Sequence, residues 1–226
     1  MLLLLNIFIT NASNNGPGLN FWLTNDATSF IHHWNWTDES VSIIYNQTDG
    51  IPLSYNTSFP PIEAGLLFNG TNFLVLTISI PPQNSLTNFD RTGTIVAQYN
   101  LSSRIGTNLF TGGITTNGTD YWISAATSAS FALSNSYIFH LNSTFENQTD
   151  MIELNPAGAN NARGLYTNGS DFWVLDAEDF HIYHLNRTGN NITDGLKLPS
   201  TYDFSVAAMY GNNSDFWIVS AEFRIC

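Results

Sequence analysis

A doublet of large apolar residues recurs five times along this chain. Phe21-Trp22, Phe73-Leu74, Tyr121-Trp122, Phe172-Trp173 and Phe216-Trp217 follow Asn20, Asn72, Asp120, Asp171 and Asp215 in turn. The steps between them are 52, 48, 51 and 44 residues. Self-similarity at this period marks a repeat architecture, in which each unit buries its apolar surface against its neighbours.

Each doublet opens a short apolar run, such as Phe172-Trp173-Val174-Leu175. Runs of this length, rich in aromatic and β-branched residues, read as strands buried on both faces. Four of them are preceded by a tight-turn signal: Asn69-Gly70, Asn117-Gly118, Asn168-Gly169 and Asn212-Asn213. Asn-Gly between apolar runs is a strong hairpin signal, because both turn residues must adopt positive φ. A strand precedes each turn, as at Gly164 to Thr167. A third follows the doublet, at Phe30 to Trp34, Ile95 to Tyr99, Tyr137 to Leu141 and His181 to Leu185. A weaker fourth follows at Val41 to Tyr45 or Gly195 to Leu198. Four antiparallel strands per repeat predict the blade of an all-β propeller. The small residues Gly65, Gly113, Gly164 and Ala208, early in each first strand, suit a crowded centre. The repeats predict one domain, with blades at about 1–50, 51–110, 111–160 and 161–205 and a partial blade at 206–226.

The segments Gly113 to Trp122 and Gly164 to Trp173 fit the pattern G-[I/L]-x-T-N-G-[T/S]-D-[F/Y]-W. In this the chain resembles extracellular β-propeller repeat proteins, and also lyase-like propellers. The resemblance implies a propeller fold. It carries no catalytic role here, because the His and Glu of the lyase-like members have no counterparts that can be placed.

Met1 to Thr10 (MLLLLNIFIT) has the apolar character of an export signal but lacks a basic start and is broken by Asn6. Phe8 to Asn11 aligns with Leu165 to Asn168, so the segment is expected to be the first strand of the first blade. The fifth repeat stops within its third strand at Cys226, as expected of a piece of a longer chain. No run is long enough for a transmembrane helix.

The polar surface is unusual. Charged residues are only 11% of the chain, and the net charge is −12. Six Lys and Arg cannot track a phosphate backbone, which argues against nucleic-acid binding. One cysteine, Cys226, leaves no internal disulfide and no cysteine-based zinc site. The polarity comes instead from Asn, Ser, Thr and Gly.

Thirteen N-x-S/T sequons are present: Asn11, Asn35, Asn46, Asn56, Asn69, Asn100, Asn117, Asn142, Asn147, Asn168, Asn186, Asn191 and Asn212. Random placement of the same residues gives about five. Their phase is more telling. Asn11, Asn69, Asn117, Asn168 and Asn212 share the first turn of every repeat. Asn35, Asn100, Asn142 and Asn186 are read at the end of the third strand. Asn-Gly-Thr is good turn chemistry in itself, but that does not explain the second group. Strand alternation puts both turns on the same end of a blade. The other end is expected to carry Asp26, the segment Ser79 to Gly93 and the acidic run Asp176-Ala177-Glu178-Asp179, with Asn56 as an exception.

Two clusters deserve weighing as metal ligands. His33, His140 and His184 share a repeat position with Gln98, but each lies in a different blade, and packing beside the sequons is expected. Asp176, Glu178 and Asp179 offer carboxylates for Ca²⁺ but lack EF-hand spacing, so a solvated acidic loop is expected. Trp34 and Trp36, flanking Asn35, stand outside the doublet register and are placed to pack on a sugar or a neighbour.

The function expected from these features is a non-enzymatic, N-glycosylated extracellular or cell-surface structural protein. It would belong to a surface layer or filament and contact copies of itself or other surface proteins. No cofactor is implied beyond N-linked glycans, with Ca²⁺ at the acidic run as the open alternative. The alternative is a carbohydrate-binding or carbohydrate-active propeller (lectin, lyase or hydrolase) working through its less glycosylated end.

Overall fold

The computed structural model describes residues 19–25, 30–36, 50–53, 55, 62–79, 83–127, 134–198, 205–211 and 216–221. The expected strand at Met1 to Thr10, the fourth strand at Val41 to Tyr45 and the chain end at Cys226 lie outside them. The described chain is all-β. Only a helical turn, α1 (Ser102–Ile105), and a 3-10 turn (Asn155–Ala157) interrupt the strands. No described helix is long and apolar enough to cross a membrane.

Seventeen described strands form five antiparallel sheets. The first holds β1 (Leu19–Asn25), β2 (Phe30–Trp36) and β3 (Ile51–Pro52). The second runs β4 (Ile62–Phe68), β5 (Phe73–Ser79), β6 (Gln83–Phe89), β7 (Ile95–Asn100). The third runs β8 (Phe110–Thr116), β9 (Tyr121–Ala126), β10 (Ser136–Leu141), β11 (Ile152–Glu153). The fourth runs β12 (Ala162–Thr167), β13 (Phe172–Asp176), β14 (His181–Leu185), β15 (Asn191–Lys197). The fifth pairs β16 (Ser205–Gly211) with β17 (Phe216–Ala221).

In the second sheet the expected third strand is corrected. Ile95 to Tyr99 belongs to β7, the fourth strand, and the third is β6, inside the segment read as a loop. The run Gln83-Asn84-Ser85-Leu86-Thr87-Asn88-Phe89 is too polar to announce a strand. It is one all the same, and its most buried amide, Asn84, is bonded toward the next sheet. Asn84 Nδ2 donates to the Leu109 carbonyl (2.7 Å), and the Thr111 hydroxyl lies 3.4 Å from Asn84 Oδ1.

The doublet strands fill the layers between sheets. Leu74, Leu76 and Leu86 pack with Ile123 and Phe139 of the third sheet. Trp122 and Ile138 pack with Leu165, Phe172 and Val174 of the fourth, and Leu175 and Ile182 with Met209 of the fifth. Ala208 of the fifth sheet joins the layer of Ile31, Leu66, Phe73 and Val75, from the first two sheets.

Successive first strands touch through the small residues. A Cβ on Gly65 would stand 2.7 Å from the Gly112 carbonyl oxygen, and one on Gly113 would stand 2.5 Å from Leu165 N. One on Gly164 would stand 2.6 Å from Met209 Cβ. Each of the four described first strands is also bulged beside its small residue, between Glu63 and Gly65, Thr111 and Ile114, Ala162 and Gly164, and Val206 and Ala208. A bulge leaves one residue out of the ladder and sharpens the local twist. At Gly113 the N–H is taken up by the Ser124 hydroxyl (2.7 Å).

Candidate glycan-bearing turns

The first turn of a repeat is built by its asparagine. The N–H groups of Thr71 and Asn72 donate to Asn69 Oδ1 at 3.1 and 2.8 Å. Those of Thr119 and Asp120 donate to Asn117 Oδ1, both at 2.9 Å, and those of Ser170 and Asp171 to Asn168 Oδ1, again at 2.9 Å. The glycine that follows has φ of +94° at Gly70, +95° at Gly118 and +97° at Gly169, a conformation open to glycine at little cost. All three asparagines are exposed. Their Nδ2 groups enter no hydrogen bond among the described residues.

The turn between third and fourth strands repeats this device. Asn142 Oδ1 accepts from Thr144 N (3.0 Å), the Thr144 hydroxyl (2.8 Å) and Glu146 N (2.9 Å). Asn186 Oδ1 accepts from Thr188 N (3.0 Å), the Thr188 hydroxyl (2.8 Å) and Asn190 N (3.0 Å). In the second sheet this position is Asp90, which accepts from Thr92 N (2.8 Å), the Thr92 hydroxyl (2.6 Å) and Thr94 N (3.0 Å). The Thr92 hydroxyl first, then these N–H groups, holds the Asp90 carboxyl below its ordinary value. Asn100 therefore leaves the group to which the sequence assigned it. It ends β7, a fourth strand, where its Oδ1 accepts from Ser103 N (3.3 Å). The hydroxyl of Ser102, the third residue of its sequon, accepts from Asn84 N (2.8 Å).

In the second and fourth sheets the two turns are neighbours at one end, because an arginine joins them. Arg91, next to Asp90, donates to the carbonyls of Gly70 (2.9 Å) and Thr71 (3.3 Å). Arg187, next to Asn186, donates to the Gly169 carbonyl (2.6 Å). Its guanidinium also lies 4.3 Å from the Trp122 ring centre and 4.4 Å from that of Phe172, wedged between the third and fourth sheets. Burial pulls its pKa down, opposed by the charges of Asp171, Asp150 and Asp120. Arg187→Ala is expected to cost about 1–2 kcal/mol through the lost ring contacts and packed stem, measured by urea unfolding.

The repeated histidines face the doublet tryptophans. His140 stacks on Trp122 (4.9 Å, 12°) and His184 on Trp173 (4.4 Å, 7°). Each also meets the aspartate before its doublet: His140 Nε2 lies 3.4 Å from Asp120 Oδ2, and His184 Nε2 3.3 Å from Asp171 Oδ2. Asp150 approaches His140 Nδ1 at 2.8 Å. Backbone register sets Trp22 opposite His33 in the same way. In the second sheet Leu74 faces Asn88, so the fourth member of the position is Asn88 and not Gln98. No group of three or more His, Cys, Asp or Glu arranged to hold a metal occurs among the described residues.

The acidic run is corrected as well. Asp176 is 1% exposed and organises its loop rather than being solvated. Its Oδ2 accepts from Asn161 N (2.7 Å), and its Oδ1 from Glu178 N (2.7 Å) and Asp179 N (3.2 Å). Asp179 Oδ2 accepts from the Tyr183 hydroxyl (2.7 Å). Burial, then this bond, pushes the Tyr183 hydroxyl well above its ordinary value. Burial first, then the charges of Asp176 and Asp179, raises the Glu178 carboxyl.

Two further sequons share a position that the sequence did not reveal as repeated. Asn147 and Asn191 begin the fourth-strand pairing, opposite Leu141 and Leu185. Their Nδ2 groups face inward: Asn147 donates to the Arg104 carbonyl in α1 (2.9 Å), and Asn191 to the Ala157 carbonyl (3.1 Å). Each thus fastens its sheet to the link from the preceding sheet. Asn35 lies in β2 opposite Asn20. Asn11, Asn46, Asn56 and Asn212 lie outside the described residues.

No protein-family model matches the chain, and no curated protein matches it by sequence. Among solved structures, it is similar to a subtype N10 neuraminidase-like protein of the little yellow-shouldered bat isolate, at 12% identity and a TM-score of 0.46 over 82% of this chain and 57% of the other. It is similar to a bifunctional GH43-CE protein of Bacteroides eggerthii, at 9% identity and a TM-score of 0.48 over 88% of this chain and 28% of that one. A GH43_1 enzyme of Xanthomonas citri gives 10% identity and a TM-score of 0.40 over 98% and 74%. The chain spans 57% and 46% of the first two neuraminidase-like structures it matches.

Proposed function

We propose that this chain is a non-enzymatic extracellular glycoprotein, a β-propeller that gathers its N-linked sugars on one end and uses the other for contact with copies of itself or other surface proteins. The observation that carries the reading is the orientation of five asparagines. At Asn69, Asn117, Asn168, Asn142 and Asn186 the side-chain oxygen is fixed by backbone N–H groups, while the nitrogen that would bear sugar enters no hydrogen bond among the described residues. The arginine links between the two turns of the second and fourth sheets support a common end for both. Sugar there would solubilise a chain in which only 11% of residues are charged. The aspartates and histidines of the repeats are engaged in internal stacks and turns, which favours a structural role in a surface layer or filament. The propeller reading rests on the contacts between successive first strands and on Ala208, which brings the fifth sheet to the layer of the first two.

Glycopeptide mass spectrometry of protein from its natural source tests this site by site. Sugar is expected at those five positions and absent from Asn147, whose Nδ2 is turned toward the Arg104 carbonyl and whose Oδ1 is buried. Five bare turn asparagines, or sugar on Asn147, contradict the reading.

A further inference from the structure

We propose that Asn69, when it carries no sugar, is a site of spontaneous deamidation, while Asn117 and Asn168 at the same turn position are protected by a threonine two residues before the glycine. In an Asn-Gly pair the glycine backbone nitrogen attacks the side-chain Cγ. The N–Cγ bond forms, the attacking nitrogen loses its proton, the Cγ–Nδ2 bond breaks and ammonia leaves. Water then opens the five-membered succinimide at either carbonyl, giving aspartate or isoaspartate, with no oxidant or reductant needed.

The three turns present the same electrophile. In each, two backbone N–H groups polarise the asparagine Oδ1 at 2.8–3.1 Å. Access is also the same, since a Cβ built on Gly70, Gly118 or Gly169 meets nothing within 4 Å. The nucleophiles differ. Gly118 N donates to the Thr116 hydroxyl (3.0 Å) and Gly169 N to the Thr167 hydroxyl (3.1 Å). Those hydroxyls are held in place by donating to the carbonyls of Asp120 and Asp171, each at 2.7 Å. A nitrogen so bonded must break that bond to attack. At the second sheet the corresponding residue is Phe68, which has no hydroxyl, and the turn's backbone bond runs from Asn69 N to the Asn72 carbonyl, with none from Gly70 N among the described residues. Isoaspartate would add a methylene and a charge to the turn that Arg91 grips through the Gly70 carbonyl. A glycan on the Asn69 nitrogen removes ammonia as the leaving group, so the sugar would also guard the turn.

The test uses the full chain made in a host without N-glycosylation, incubated folded at mildly alkaline pH and followed by peptide mass spectrometry for exchange of NH for O and for isoaspartate. Position 69 is expected to react severalfold faster than 117 and 168. In concentrated urea the three rates should converge. Thr116→Val and Thr167→Val, near-isosteric changes, should raise the rates at 117 and 168 to that at 69. Equal rates in the folded protein, a difference that persists in urea, or valine variants that react no faster would overturn the proposal.

Discussion

Asp176→Ala is expected to lower the folding free energy by about 3–5 kcal/mol, the range for removing one partner of a buried charged network. Three backbone N–H groups, of Asn161, Glu178 and Asp179, point at this carboxylate. Its charge also supports Arg163, whose pKa burial pulls down and Asp176 pulls back up. Alanine leaves these three donors without their acceptor and removes the charge that offsets the burial of Arg163. Asp176→Asn, which keeps one oxygen, should lose less. Equilibrium urea unfolding followed by tryptophan fluorescence reads both. Glu178→Gln goes the other way. Its folded pKa is raised, so the ionised form costs stability at neutral pH and protonation on acidification relieves that cost. Glutamine should therefore be neutral or mildly stabilising at neutral pH, and its advantage should shrink as pH falls.

Gly113→Val is expected to cost about 3 kcal/mol or more, because overpacking here is against backbone and has nowhere to relax. The added Cβ would stand 2.5 Å from Leu165 N and 3.0 Å from the Gly164 carbonyl carbon, in the seam between the third and fourth sheets. For a chain of this size that corresponds to a fall of roughly 10 °C in Tm, read by thermal unfolding. Gly118→Ala provides the contrast. Nothing lies within 4 Å of its would-be Cβ, and only its φ of +95° opposes the change, so its cost should stay near about 1 kcal/mol. If the two variants melt together, contact between the first strands is not what sets the need for small residues.

The parts of this fold visible in the sequence are those with strong local chemistry. The doublets mark β1, β5, β9, β13 and β17, and Asn-Gly marks the turns before three of them. What the sequence hid was set by tertiary partners. β6 carries Asn84 and Thr87 where a buried strand is expected to be apolar; Asn84 is held by its bonds toward the next sheet, while the buried Thr87 hydroxyl has no hydrogen-bond partner among the described residues. Missing β6 shifted the second repeat by one strand and misplaced Gln98 and Asn100. Asp90 escaped notice because it does the work of Asn142 and Asn186 without being a sequon. Asp-Arg-Thr-Gly at 90–93 and Asn-Arg-Thr-Gly at 186–189 was nevertheless a legible signal for it. The bulges beside Gly65, Gly113, Gly164 and Ala208 had no such signal, since a bulge is a property of two strands rather than one.

The central claim is that sugar is massed on one end of a stack of repeated sheets. A cryo-electron density map of the native particle tests it most directly. The account predicts branched density rising from the turns at Asn69, Asn117, Asn168, Asn142 and Asn186, with the end that carries Asp176 to Asp179 bare. Density spread over both ends, or none at these five turns, would contradict it.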